Sequence, residues 1–210
     1  MTLSLVWLRR DLRLHDHAAL ATALAQSAPV QLVFVFDRAI LARFNNPQDR
    51  RLGFIAEALC AMDRQLRARG GQLLVLHGHA TQVIPALANA TGATSLICAE
   101  DFEPATRARD ASVKADLPTT TRMVQVLDHL IRAPQQLLKA DGTPYKVFTP
   151  FYKQWRTSLG PTDDAEYAVE DAGRYADGAA LRAAALAAGL EVLRPEAGAA
   201  CLLQPLGYHH

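Results

Sequence analysis

The sequence predicts an α/β domain, a doubly wound five-stranded parallel sheet (Rossmann-like), followed by a linker and a short helical tail. Three observations carry this expectation. Val30 to Phe36 is almost unbroken in β-branched, aliphatic and aromatic residues, the composition of a strand covered on both faces. Leu52, Ile55, Leu59, Met62 and Leu66 recur at spacings of three and four, which puts them on one stripe of a helix over Asp49 to Arg69. Apolar runs and helical stretches of fitting length alternate through the first 126 residues, the pattern of right-handed βαβ crossovers.

Taken in order, Leu3 to Leu8 is the first strand. It breaks into a charged turn at Arg9, and Asp16 is expected to cap a helix starting near His17. Ala18 to Ala25 is a short helix ended by Pro29, and Asp37 closes the second strand. Arg38 to Gln48, with Asn45, Asn46 and Pro47, reads as a loop. Gly70 and Gly71 stop the long helix. Leu73 to Leu76, Ser95 to Ala99 and Arg122 to Val126 are the remaining strands. Thr81 to Ala90 and Thr106 to Ala115 are the helices between them. Beyond the fifth strand the alternation stops. A turn at Asp141 to Pro144 leads to an aromatic segment, where Pro150 is expected to start a helix burying Phe151 and Trp155. Gly160 to Gly178 reads as an acidic linker and Ala179 to Ala188 as a helix closed by Gly189. Arg194 to His210 shows no pattern.

Composition excludes several functions. A formal net charge of +1 is too small for a domain that grips nucleic acid by itself, so strong DNA binding by this chain is not expected. No apolar run has the length of a membrane span, and the arginines follow the first apolar run, the reverse of a secretion signal. Cys60, Cys98 and Cys201 are too few and too scattered for a disulfide framework or a zinc site, which points to the cytoplasm. His77 and His79 lack a third ligand nearby, so no metal is expected. There is no P-loop, no G-x-G-x-x-G and no G-x-S-x-G elbow. No catalytic residue is assigned.

Two segments carry a resemblance. Trp7-Leu8-Arg9-Arg10-Asp11-Leu12-Arg13-Leu14-His15-Asp16 resembles the opening signature of the DNA photolyase/cryptochrome family, W-F-R-x-D-L-R-x-x-D, with Leu8 where an aromatic is usual. Gly142 to Trp155 is similar to that family's G-x-x-Y-K-V-F-T-P-F-x-K-x-W. The resemblance spans residues 3–160 and extends faintly into 190–203. It implies that residues 1–160 are an N-terminal antenna domain. Residues 161–210 would then lead towards an all-helical FAD-binding domain that lies beyond this chain. The full-length protein would repair pyrimidine dimers in damaged DNA, using light gathered by an antenna chromophore and passed to FAD. A cryptochrome-type photoreceptor domain and a stand-alone flavin- or nucleotide-binding module are the alternatives.

Ligands of open α/β sheets sit beyond the carboxyl ends of the strands. There the sequence offers Arg9, Arg10, Asp11 and Leu12, then Phe36 and Asp37, then Glu100, Asp101 and Phe102. By resemblance, Asp101 stands where deazaflavin-using relatives contact the ring, and Arg51 stands at a pocket arginine. Each also has a purely structural reading, Arg51 as a surface charge at a helix start and Asp101 as a cap for the next helix. The histidine and the Asn-Glu pair of folate-using relatives are replaced by Asn45 and by Ala105 and Thr106. The resemblance therefore favours a deazaflavin or flavin antenna over methenyl-folate.

Overall fold

A computed structural model describes residues 2–163, 165–171 and 173–210. Strands β1 (Ser4–Leu8), β2 (Val30–Asp37), β3 (Leu73–Gly78), β4 (Ser95–Ala99), β5 (Arg122–Val126) and β6 (Glu191–Leu193) form one sheet in the order β5-β4-β1-β2-β3-β6. The first five are mutually parallel, as expected, and β1 pairs with both β2 and β4. The chain thus winds outward one way through β2 and β3, then crosses back to β4. That reversal puts the switch point between β1 and β4, where neighbouring loops part and leave a crevice.

The sheet has six strands rather than five. β6 runs antiparallel to β3, with Leu193 opposite Val75 and Glu191 opposite His77. Three residues are too few to show a period, and the edge of β3 supplies the ladder that makes them a strand. The preceding segment is also tied down. The Val30 N–H donates to the Arg174 carbonyl (2.8 Å) and the Ala176 N–H donates to the Val30 carbonyl (3.0 Å).

The α-helices among the described residues are α1 (Ala18–Leu24), α2 (Arg38–Leu41), α3 (Arg50–Ala68), α4 (Ala80–Thr91), α5 (Pro104–Asp116), α6 (Phe148–Ser158), α7 (Gly178–Ala187) and α8 (Ala199–Leu203). Alternate residues of each strand point to opposite faces. Val6, Leu8, Leu32, Phe34, Phe36 and Val75 pack with α1, α3 and α8. Leu5, Trp7, Val33, Val35, Leu74 and Leu76 pack with α4 and α7. Cys60 and Cys98 are buried on these faces, and burial pushes the Cys98 thiol up to about 12, so it is inert near neutral pH.

Three local expectations are corrected. Asp16 does not cap α1. It takes a left-handed backbone (φ 44°), and its carboxylate accepts from the Tyr167 N–H at 3.0 Å. The cap is His17, whose Nδ1 accepts from the Leu20 N–H, while Asp128 Oδ1 accepts from the Ala18 N–H. The loop after β2 contains a helical turn, α2, capped by Asp37 through the Ala39 N–H. Finally, α6 begins at Phe148, before Pro150, and buries none of its residues. Phe151 and Trp155 are half-buried and Phe148 is exposed.

Candidate functional site in the strand-end crevice

β1 delivers Arg9, Arg10 and Asp11 to the carboxyl edge of the sheet, and each then finds a partner distant in sequence. Arg9 Nη1 donates to Asp110 Oδ2 on α5 (2.5 Å), and only 8 % of the Arg9 side chain is exposed. Asp110 also accepts from Arg109 Nη2 (3.1 Å) and from Gln125 Nε2 of β5 (3.0 Å). The two guanidinium carbons lie 5.1 Å (Arg9) and 4.7 Å (Arg109) from the Trp7 ring centroid, within cation–π range. Arg10, half exposed, reaches Asp101 (3.1 Å) and Glu103 (2.9 Å) and bridges the loops after β1 and β4.

Asp11 accepts the Arg9 backbone N–H on Oδ1 (2.7 Å), and its Oδ2 lies 3.2 Å from His17 Nε2. Burial raises its pKa, but His17 and the Arg9 N–H outweigh burial and hold the carboxyl below the ordinary range. Asp101 follows the same logic. Burial raises it, and the Glu103 N–H with Arg10 and Arg9 brings it down. Both are carboxylates at neutral pH. Arg13 completes the rim through Asp128 (2.9 Å).

Two cavities flank the Arg9–Arg10–Asp101 ridge. The smaller, about 30 Å³, lies at the switch point between Arg9, Arg10, Asp11, Arg13, Glu100, Asp101, Asp128 and His129. The larger, about 120 Å³ and open to solvent, has an apolar wall of Trp7, Leu8, Phe34, Val35 and Ile40 and a polar edge of Arg10, Asp37, Asp101, Thr106 and Arg109. That lining suits one face and one edge of a planar heterocycle. Arg9 Nη2 and Asp128 Oδ2 are buried without a hydrogen-bond partner, while Asp11 Oδ2 and His17 Nε2 face each other at 3.2 Å.

Of the ten sequence-expected site residues, six line these cavities: Arg9, Arg10, Asp11, Asp37, Glu100 and Asp101. Four line neither. Phe36 is buried beneath, edge-on to Phe34, and Leu12 packs into the same core layer. Phe102 turns towards His129. Arg51 forms a bidentate pair with Asp49 (2.9 and 2.7 Å) and lies over the Phe44 ring, exposed at the start of α3. Trp7, Thr106, Arg109, Asp110 and Asp128 were not anticipated. A signal existed for the α5 residues, because Thr106, Arg109 and Asp110 fall at helical spacings of three and four and so share a face. Among the described residues no group of acidic, histidine or cysteine side chains has the arrangement of a metal site.

Fold and crevice together define a doubly wound α/β domain with a polar-rimmed cleft beyond its strand ends. The DNA photolyase family model matches residues 4–171, and the chain belongs to that family. It is 38% identical over 159 residues to the deoxyribodipyrimidine photo-lyase of Synechococcus, covering 75% of this chain and 33% of that protein. It is 32% identical over 150 residues to cryptochrome-1 of Aedes aegypti, covering 66% of this chain and 27% of that protein. Among solved structures it is similar to an archaeal photolyase from Sulfolobus tokodaii, described as holding two FAD molecules and as implicating a novel light-harvesting cofactor. That match has 27% identity and a TM-score of 0.60, over 73% of this chain and 34% of the other. The chain therefore spans about a third of the length of these relatives and corresponds to their N-terminal α/β domain.

Proposed function

We propose that this chain is the light-harvesting domain of a DNA photolyase. It holds a flavin or deazaflavin antenna in the strand-end crevice and passes excitation to FAD in a C-terminal helical domain. The full-length protein then repairs pyrimidine dimers in DNA. The observation that carries the reading is the lining of the larger cavity, in which an apolar wall faces a carboxylate, Asp101, already ionised and backed by Arg10. Trp7 and Phe34 would stack against a tricyclic ring, Asp101 would accept its ring N–H, and Arg10 and Arg109 would donate to its carbonyls. The ring supplies light absorption when bound; the chain supplies its orientation and its exclusion from water. The replacements at Asn45, Ala105 and Thr106 speak against folate. The flavin-type choice is further supported by the second FAD described for the Sulfolobus photolyase. The likeness to a cryptochrome supports a second reading, a photoreceptor domain with the same antenna site.

The partner of this domain is the FAD-binding remainder of a relative-length protein, and its docking face is α6 with the preceding loop. Seven of the 11 exposed large apolar side chains among the described residues fall between Leu130 and Leu159. A groove formed by Leu130, Pro134, Leu138, Tyr145, Phe151 and Trp155 runs beside them. Such a concentration marks a protein contact. DNA contact belongs to the full-length protein. The free thiols of Cys60, Cys98 and Cys201 suit a reducing, cytoplasmic setting, and among the described residues no helix is long and apolar enough to cross a membrane.

Titration of the chain with riboflavin, followed by fluorescence anisotropy, tests the site. Asp101→Ala should weaken binding by roughly tenfold to a hundredfold, the equivalent of one charged hydrogen bond. Arg51→Ala, aimed away at Asp49, should leave it unchanged. Equal affinity for Asp101→Ala and the unaltered chain overturns this placement.

A further inference from the structure

Trp7 poses a problem for a light-harvesting crevice. Among the residues lining the larger cavity it is the single indole, and the lining contains no phenol. Indole is the most easily oxidised side-chain aromatic, and an excited flavin-type ring is a strong one-electron oxidant. At contact, a bare Trp7 would give one electron to the excited ring and then take it back, so that both partners returned to their starting states and the excitation was lost as heat. An antenna that met a bare indole would be dark.

The indole here is not bare. Arg9 and Arg109 place guanidinium carbons 5.1 and 4.7 Å from its centroid; the ring is 2 % exposed and the two side chains 8 and 17 %, so water screens the cations only in part. The opposing charge beside them is Asp110, which accepts from both (2.5 and 3.1 Å). Asp11 also acts on Arg9, and the two guanidinium groups are the charges placed at the ring itself. A fixed cation at this range favours the neutral indole and disfavours its radical cation, and it acts more strongly in a dry interior than in water. The same cations stabilise the ground-state ring through its quadrupole, an attraction that is lost once an electron leaves the ring. Both effects raise the cost of oxidising Trp7.

We propose that Arg9 and Arg109 act as an electrostatic guard on Trp7, keeping it from quenching the excited chromophore so that excitation survives to be transferred. This rests on the flavin-type reading of the cavity. It gives Arg109 a role beyond ligand affinity, and it explains why two arginines gather at an aromatic residue when one would neutralise Asp110.

The test is time-resolved fluorescence of riboflavin bound at saturation to the full chain. With the unaltered chain, the bound lifetime should stay within about twofold of the free lifetime. Arg109→Gln should shorten it by roughly tenfold or more, since a tenfold rate change needs only a modest change in driving force. Arg109→Lys, which keeps the charge, should restore the long lifetime. Arg109→Gln combined with Trp7→Phe should restore it too, because the electron donor is gone. A lifetime unchanged by Arg109→Gln, with riboflavin still bound, overturns the guard and leaves the binding reading standing. A short lifetime in the unaltered chain that lengthens in Trp7→Phe also overturns it, making Trp7 an unprotected donor. Absence of saturable riboflavin binding removes the site reading and this inference together.

Discussion

The strand-end crevice and the α6 face are both rich in aromatic and basic residues, yet the fold treats them in opposite ways. In the crevice, Asp11, Asp110 and Trp7 are buried and the Arg9 side chain is 8 % exposed; Arg9 pairs with Asp110 of α5, and Asp11 lies 3.2 Å from His17. On α6, Phe148, Tyr152 and Trp155 stack on one another (ring centroids 5.7 and 6.1 Å apart), Phe148 stands 73 % exposed, and no helix residue is buried. The crevice is organised within this domain. The α6 face is organised for something laid against it. The contrast teaches that dense aromatic–basic composition does not by itself tell a finished site from an unfinished surface; the partners across the sheet decide.

The contrast can be broken most sharply at Asp110. Asp110→Ala leaves the buried Arg9 charge without its carboxylate, and removal of one partner from a buried pair costs about 3–5 kcal/mol. Urea unfolding should show a loss of that size; a loss below about 1 kcal/mol would make the pair no better than a surface ion pair. On the other side of the comparison, Trp155→Ala removes only a half-buried ring, and the domain should lose roughly 1–2 kcal/mol, the area term without a deep cavity term. Phe148→Ala should change stability by about 0.5 kcal/mol or less, as an exposed side chain does. Both substitutions should leave the weak affinity for single-stranded DNA as it was. Normal stability with DNA binding lost in Trp155→Ala would turn the α6 face into a base-stacking platform.

The smallest effect is a matter of pH. Asp11 has a folded pKa below its ordinary 3.8, so its contribution to stability is present above that value and disappears as pH falls through the lower, folded one. Urea midpoints measured down an acid series should therefore fall for the unaltered chain below pH 3.8. Asp11→Asn should flatten that limb while lowering stability at neutral pH. An identical acid limb in both proteins would show that Asp11 is not linked to folding.

What the chain's own order of residues determined is local. The Val30 to Phe36 run, the leucine stripe of α3 and the spacing of the apolar segments specify strand, helix and crossover, because these depend on residues within one or two turns of each other. They also specify that Arg9, Arg10, Asp11 and Asp101 end strands, hence that they meet at one edge of the sheet. Tertiary structure alone decided the pairings. Arg9 finds Asp110 across 101 residues and Ala18 finds Asp128 across 110, because the chain reverses at β1 and lays α5 and the end of β5 beside it. Arg51 folds back on Asp49 two residues away at the exposed start of α3. Glu191 to Leu193 become a strand only because β3 offers a free edge. Hydrogen bonds and ion pairs of this kind are satisfied by whatever the topology brings within about 3 Å, and no local period in a sequence encodes that distance.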